Sequence, residues 1–162
     1  MSTQSFRVHV TKDYLKFSAA HFIAYKGFRE ALHGHNYRVS VDVEGDLGAE
    51  GYVLDFGVVK QIARQVCQHL DEKMLVPARS DCLRIHEEGG QVVLGYEADE
   101  FRFPRGDVLL VPIVHSSAEE LARYIAGEIR RELETRGMAR LRAIQIGVEE
   151  TSGQAAYFRE QL

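Results

Sequence analysis

Three histidines, His21, His33 and His35, have the types and spacing to do chemistry. Residues 30–45 read EALHGHNYRVSVDVEG. In the second half Tyr37, Val39, Val41 and Val43 alternate with Asn36, Arg38, Ser40, Asp42 and Glu44, the period of a half-buried strand. Carried back toward the N-terminus, the apolar face runs into His35 and His33. Residues two apart on a strand project from one face, so both imidazoles can reach one ion. Gly34 between them lets another chain approach closely. His21 ends the strand-like segment FSAAHF. If the two strands are antiparallel neighbours across the loop 23–32, His21 joins the pair. Three His ligands leave one tetrahedral position open, the pattern of a catalytic zinc site. The plain alternative is a set of strand-end histidines bonded to neighbours or water.

The elements that must position them follow from periodicity. Strand-like segments cover about 6–10, 16–22 and 35–44. The apolar parity shifts between Val8/Val10 and Phe17/Ala19/His21, which predicts a bulge or break near Asp13–Tyr14. Asp55 is placed to cap a helix through 57–70, with Val58, Val59, Ile62, Val66 and Leu70 at helical spacing. LRIHEEGGQVVLGY reads as a hairpin turning at Gly89–Gly90, and DVLLVPI as a short strand. Ser117 to Glu120 has capping-box form, and Leu121, Ile125, Ile129 and Leu133 continue a helical stripe to Gly137. Strands follow at 141–150 and 154–159. This order makes a single α+β domain over 1–162. Long strands and two helices leave sheet surface to cover, which favours an oligomer.

Composition narrows the function classes. The 162 residues are 45% hydrophobic and 27% charged, with net charge −4. No Lys/Arg-rich block invites nucleic acid, and no apolar run is long enough to span a membrane. Cys67 and Cys82 make no disulfide framework. A reducing cytoplasm is the simplest setting.

FSAAH followed by LHGHNYRVSV resembles the zinc motif of the 6-pyruvoyl-tetrahydropterin synthase / 6-carboxytetrahydropterin synthase family. GYVLDFGVVK, HLDEKML, SSAEELARYI and VEETSGQAAYF resemble further family blocks in the same order. The resemblance covers nearly the whole chain apart from the insertion 79–107. It implies the tunnelling fold: an antiparallel four-stranded sheet with two helices on one face, here with an inserted β-hairpin. It also implies a homohexamer of two stacked trimers, with active sites at subunit interfaces around Zn2+ and a pterin substrate. Glu150 matches the pterin-anchoring glutamate. Read alone, it stands in phase with Ile144, Ile146 and Val148, yet also fits an exposed strand end. A carboxylate suits the two parallel N–H donors of a 2-amino-pyrimidinone edge. Glu119 and Ser117 match a second pterin-contacting block and also fit plain helix capping. Asp71 matches the aspartate that orients a catalytic histidine.

The departures are informative. Relatives that eliminate triphosphate carry a cysteine shortly before HGH; this chain has AYKGFREALHGH there. The histidine after Asp71 is replaced by Glu72. Cys67 and Cys82 both read as inert packing. Glu30 stands instead in a Glu-x-x-His-Gly-His spacing, which resembles a subgroup that cleaves the side chain of 7,8-dihydroneopterin triphosphate to 6-hydroxymethyl-7,8-dihydropterin. His115, just before SSAE, is a second candidate for a catalytic role, although it also fits a strand-end surface histidine. Formation of 6-pyruvoyl- or 6-carboxytetrahydropterin is the alternative reaction. A pterin- or metal-binding hexamer with little catalysis is the alternative of another class.

Overall fold

The computed structural model describes residues 4–138 and 140–162. Strand β1 (Phe6–His21) pairs antiparallel with β4 (His33–Gly45), from Phe6 opposite Gly45 to His21 opposite His33. Pairing slips between Thr11 and Lys16, where residues 12–15 stand opposite Val39 alone. The slip explains the parity change. Val10 faces the core before it, and Leu15, Phe17, Ala19 and His21 face the core after it. Strand β10 (Leu141–Thr151) continues the sheet from β4, and β11 (Gln154–Gln161) from β10, both antiparallel.

The sheet is larger than the four antiparallel strands that the family resemblance implies. Strands β5 (Lys73–Pro77) and β9 (Val108–Val111) extend it on the far side of β1, both in parallel, giving the order β11-β10-β4-β1-β5-β9. Met74 to Pro77 are all buried, so β5 shows no alternation to betray it. Leu75 faces the main core, while Met74 and Val76 face a second one.

Helix α1 (Phe56–Leu70) starts at Asp55, whose carboxylate accepts from the Gly57 N–H. Helix α2 (Ala118–Thr135) starts at Ser117, whose hydroxyl accepts from the Glu120 N–H at 3.3 Å. Val59, Ile62, Val66 and Leu70 of α1 join Leu121, Ile125, Ile129 and Leu133 of α2 over one face of the sheet. Each such side chain contributes about 1.5–3 kcal/mol by leaving water. No helix among the described residues is long and apolar enough to cross a membrane.

The insertion is also larger than a hairpin. Strands β6 (Arg84–Glu88), β7 (Gln91–Tyr96) and β8 (Asp99–Pro104) form a three-stranded meander. Val92, Leu94 and Tyr96 pack with Phe22, Ala24, Met74, Val76 and Val108 in the second core. The meander therefore leans on the chain that links β1 to β4. That link carries a small hairpin, β2 (Ala24–Tyr25) and β3 (Phe28–Arg29), turning at Gly27, whose φ of +88° favours glycine.

Candidate metal centre

The antiparallel register puts His21 directly across from His33, with His35 opposite Ala19. All three rings project to the helix side of the sheet, at its end. Ring centroids lie 4.7 Å apart for His21–His33, 5.2 Å for His21–His35 and 4.8 Å for His33–His35. Glu150, at the end of the apolar stripe of β10, brings a carboxylate to the same point. One donor atom from each of the four residues lies within 4.8 Å of all the others.

The outer hydrogen bonds orient the rings. His21 Nδ1 donates to the Ser116 carbonyl at 2.8 Å, and His33 Nδ1 donates to the Ala31 carbonyl at 2.7 Å. Such bonds set the tautomer and turn each Nε2 lone pair inward. His21 Nε2 and His35 Nε2 are buried without a hydrogen-bond partner. Glu150 Oε1 lies 2.9 Å from His35 Nε2, off the direction a hydrogen bond needs. Two orphaned inward nitrogens are costly in a dry site, and an ion removes that cost. Burial is the main cause holding the His21 pKa below its ordinary 6.5, which keeps the ring neutral and able to ligate. The side chains thus fit a divalent ion of the kind nitrogen and carboxylate donors favour.

Close approach of β1 and β4 builds this site. A Cβ on Gly34 would lie 2.8 Å from the Ala19 carbonyl oxygen. Gly34→Ala is expected to push the strands apart at the histidines. It should cost about 1–3 kcal/mol of stability and lower metal affinity on the order of tenfold. Thermal melts and a competition titration with a metal indicator check this.

The remaining sequence-derived candidates are scattered. Glu30 lies just before the cluster rather than within it, and its Oε2 accepts from the Ile23 N–H at 2.8 Å. Its Oε1 has no hydrogen-bond partner among the described residues. Glu30 and Glu150 both act on Tyr37, whose phenol is fully buried two residues after His35. Burial first, and then these two carboxylates, push the Tyr37 pKa well above its ordinary range. Asp71 is not gathered at the histidines: its Oδ1 accepts from the Ser18 N–H at 2.7 Å. Glu72, at φ 56°, donates its N–H to the Ser18 carbonyl, so the end of α1 is tied to β1. His115 precedes Ser116 and has a buried Nδ1 without a partner. The Ser117 hydroxyl is engaged in capping, and the exposed Glu119 shares a pocket of about 210 Å³ with Glu150. Neither cysteine is at the site. Cys67 packs in the main core, where burial pushes its thiol up to about 12.

Comparison with known proteins fits this geometry. A sequence model of the 6-pyruvoyl tetrahydropterin synthase family matches residues 9–161. The chain belongs to that family. A Methanocaldococcus jannaschii member, provisionally named 6-carboxy-5,6,7,8-tetrahydropterin synthase, is 32% identical over 149 residues, covering 91% of each chain. A solved structure of Plasmodium vivax 6-pyruvoyltetrahydropterin synthase, with a catalytic glutamate replaced by alanine, has a TM-score of 0.94. It is 35% identical over 98% of this chain and 99% of that one. A shorter match, 39% identical over 59 residues, is to the dihydroneopterin monophosphate aldolase of Pyrococcus furiosus. It covers 36% of this chain and 50% of the aldolase. Family membership makes the chain a pterin-processing lyase by class, built on the tunnelling fold.

Proposed function

We propose that the chain is a zinc-dependent lyase that cleaves the side chain of 7,8-dihydroneopterin triphosphate to 6-hydroxymethyl-7,8-dihydropterin. The observation that carries this reading is the carboxylate of Glu30. It is held by the Ile23 N–H on the link between two ligand strands, in a site with no thiol. His21, His33 and His35 would hold the zinc. Zinc, when bound, polarises side-chain hydroxyls and lowers their pKa. Glu30 takes the proton of the second side-chain hydroxyl. That oxygen's electrons form a carbonyl as the bond between the first and second side-chain carbons breaks. The released pair is delocalised into the dihydropterin ring and then takes a proton at the first carbon, for which His115 is the candidate donor. The products are the hydroxymethyl pterin and glycolaldehyde triphosphate, so atoms and charge balance.

Glu150, which shares a pocket with Glu119, is assigned to the pterin edge, with Glu119 and Ser117 as further pterin contacts. Glu150→Gln should keep bound zinc near wild type and weaken pterin binding by roughly 2–3 kcal/mol, the worth of charge-assisted bonds to two N–H donors. Isothermal titration with a pterin ligand and metal analysis check both halves. Loss of zinc instead would make Glu150 a fourth ligand. Asp71 is assigned a holding role through Ser18. Two features support a hexamer of stacked trimers: the edges of β11 and β9, which pair with no further strand among the described residues, and the family's tunnelling fold. Free Cys67 and Cys82 suit a reducing cytoplasm.

The aldolase name of the P. furiosus relative favours cleavage, and the P. vivax relative has a glutamate as a catalytic residue. The names of the M. jannaschii and P. vivax relatives keep 6-carboxy or 6-pyruvoyl products as the competing outcome. Chromatography of products from zinc-loaded protein with 7,8-dihydroneopterin triphosphate separates them. Hydroxymethyl pterin supports the proposal. A pterin carrying a pyruvoyl or a carboxy group at position 6, or unchanged substrate, overturns it.

A further inference from the structure

We infer that Arg29 is a positioning residue for Glu30, and that the inserted meander imposes the position through Asp99. This rests on Glu30 being the base. Arg29 Nε and Nη2 donate to Asp99 Oδ2 at 3.2 and 2.7 Å, and Asp99 opens β8. Nη1 of the same guanidinium donates to the Glu30 carbonyl at 2.9 Å. The planar group lies over two rings, 5.7 Å from the Phe22 centroid and 5.0 Å from that of Phe101. Phe22 follows the ligand His21, and Phe101 belongs to the meander. One side chain therefore joins the insertion, the neighbour of a metal ligand and the backbone of the candidate base.

The rest of the link makes this a closed latch. The Glu30 N–H donates to the Ile23 carbonyl at 2.9 Å, while the Ile23 N–H donates back to Glu30 Oε2. The Tyr96 hydroxyl, at the end of β7, donates to the Tyr25 carbonyl at 3.0 Å. Glu30 is thus tied through its own N–H, carbonyl and carboxylate, and the meander holds the link at two places. Arg suits the role because a rigid fork can serve two acceptors while its faces stack on aromatic rings. Lysine keeps the charge and loses both features.

The tests are Arg29→Lys and Asp99→Asn, the second at an exposed side chain. Zinc-loaded variants should melt as cooperatively as wild type and keep zinc and KM within about twofold. Turnover should fall on the order of 10–100-fold, the scale of a small misplacement of a catalytic group. The fall should vanish when Glu30 is already Gln, because a base that is absent cannot be misplaced. The Ile23 amide should exchange with solvent at least tenfold faster in both variants. A loss that multiplies with that of Glu30→Gln, or an unchanged Ile23 amide, overturns the inference. The reading of Glu30 as base fails separately, by full turnover of Glu30→Gln itself, and the Ile23 amide then still decides whether the latch fixes the carboxylate.

Discussion

Glu30→Gln is expected to bind zinc and pterin as wild type does and to lose on the order of 10²–10⁴ in turnover, the usual size of a general-base contribution. The amide preserves shape and can keep the bond from the Ile23 N–H through its oxygen, so the link should fold unchanged. What disappears is the capacity to take a proton. No cysteine lies near enough in sequence to substitute, and Cys67 is locked in the core with its thiol raised to about 12. Glu30→Cys restores a thiol close to the position relatives use and should shift part of the product toward the pyruvoyl type. The rival base is His115. Normal turnover in Glu30→Gln together with a dead His115→Ala would transfer the role to the imidazole. Single-turnover kinetics read both variants.

The second large effect is on the metal. Replacing His21, His33 or His35 by Ala should lower zinc affinity by more than about 100-fold, since even the outer partners of metal ligands are worth 10–100-fold. His21→Ala should be the most damaging to the fold, because the ring is buried and holds Ser116 at the start of α2. His33→Ala should lose metal with little loss of stability. Plasma emission analysis after dialysis reads the stoichiometry. Unchanged zinc in all three variants would remove the site.

What was legible in the sequence is what strand periodicity encodes. The phase of Tyr37 to Val43 carries back to His35 and His33, and the parity change near Asp13 anticipates the slip that turns His21 toward them. The stripe through Ile144, Ile146 and Val148 runs on to Glu150 but left an exposed strand end equally open, and the structure has that residue half-buried beside His35. Long-range pairings leave no local trace. Ser116 holds His21 across 95 positions, and Asp71 meets the Ser18 amide across 53. Strand β5 is buried on both faces, so it has no alternation. The meander's third strand begins at Asp99, whose partner Arg29 is 70 positions away.

Turnover of 7,8-dihydroneopterin triphosphate by the zinc-loaded protein in D2O tests the proposed reaction most directly, with the pterin product read by mass and proton NMR. Cleavage between the first and second side-chain carbons predicts 6-hydroxymethyl-7,8-dihydropterin carrying one solvent-derived deuteron on the hydroxymethyl carbon, with glycolaldehyde triphosphate released in equal amount. Release of inorganic triphosphate together with a 6-pyruvoyl or 6-carboxy pterin would contradict it.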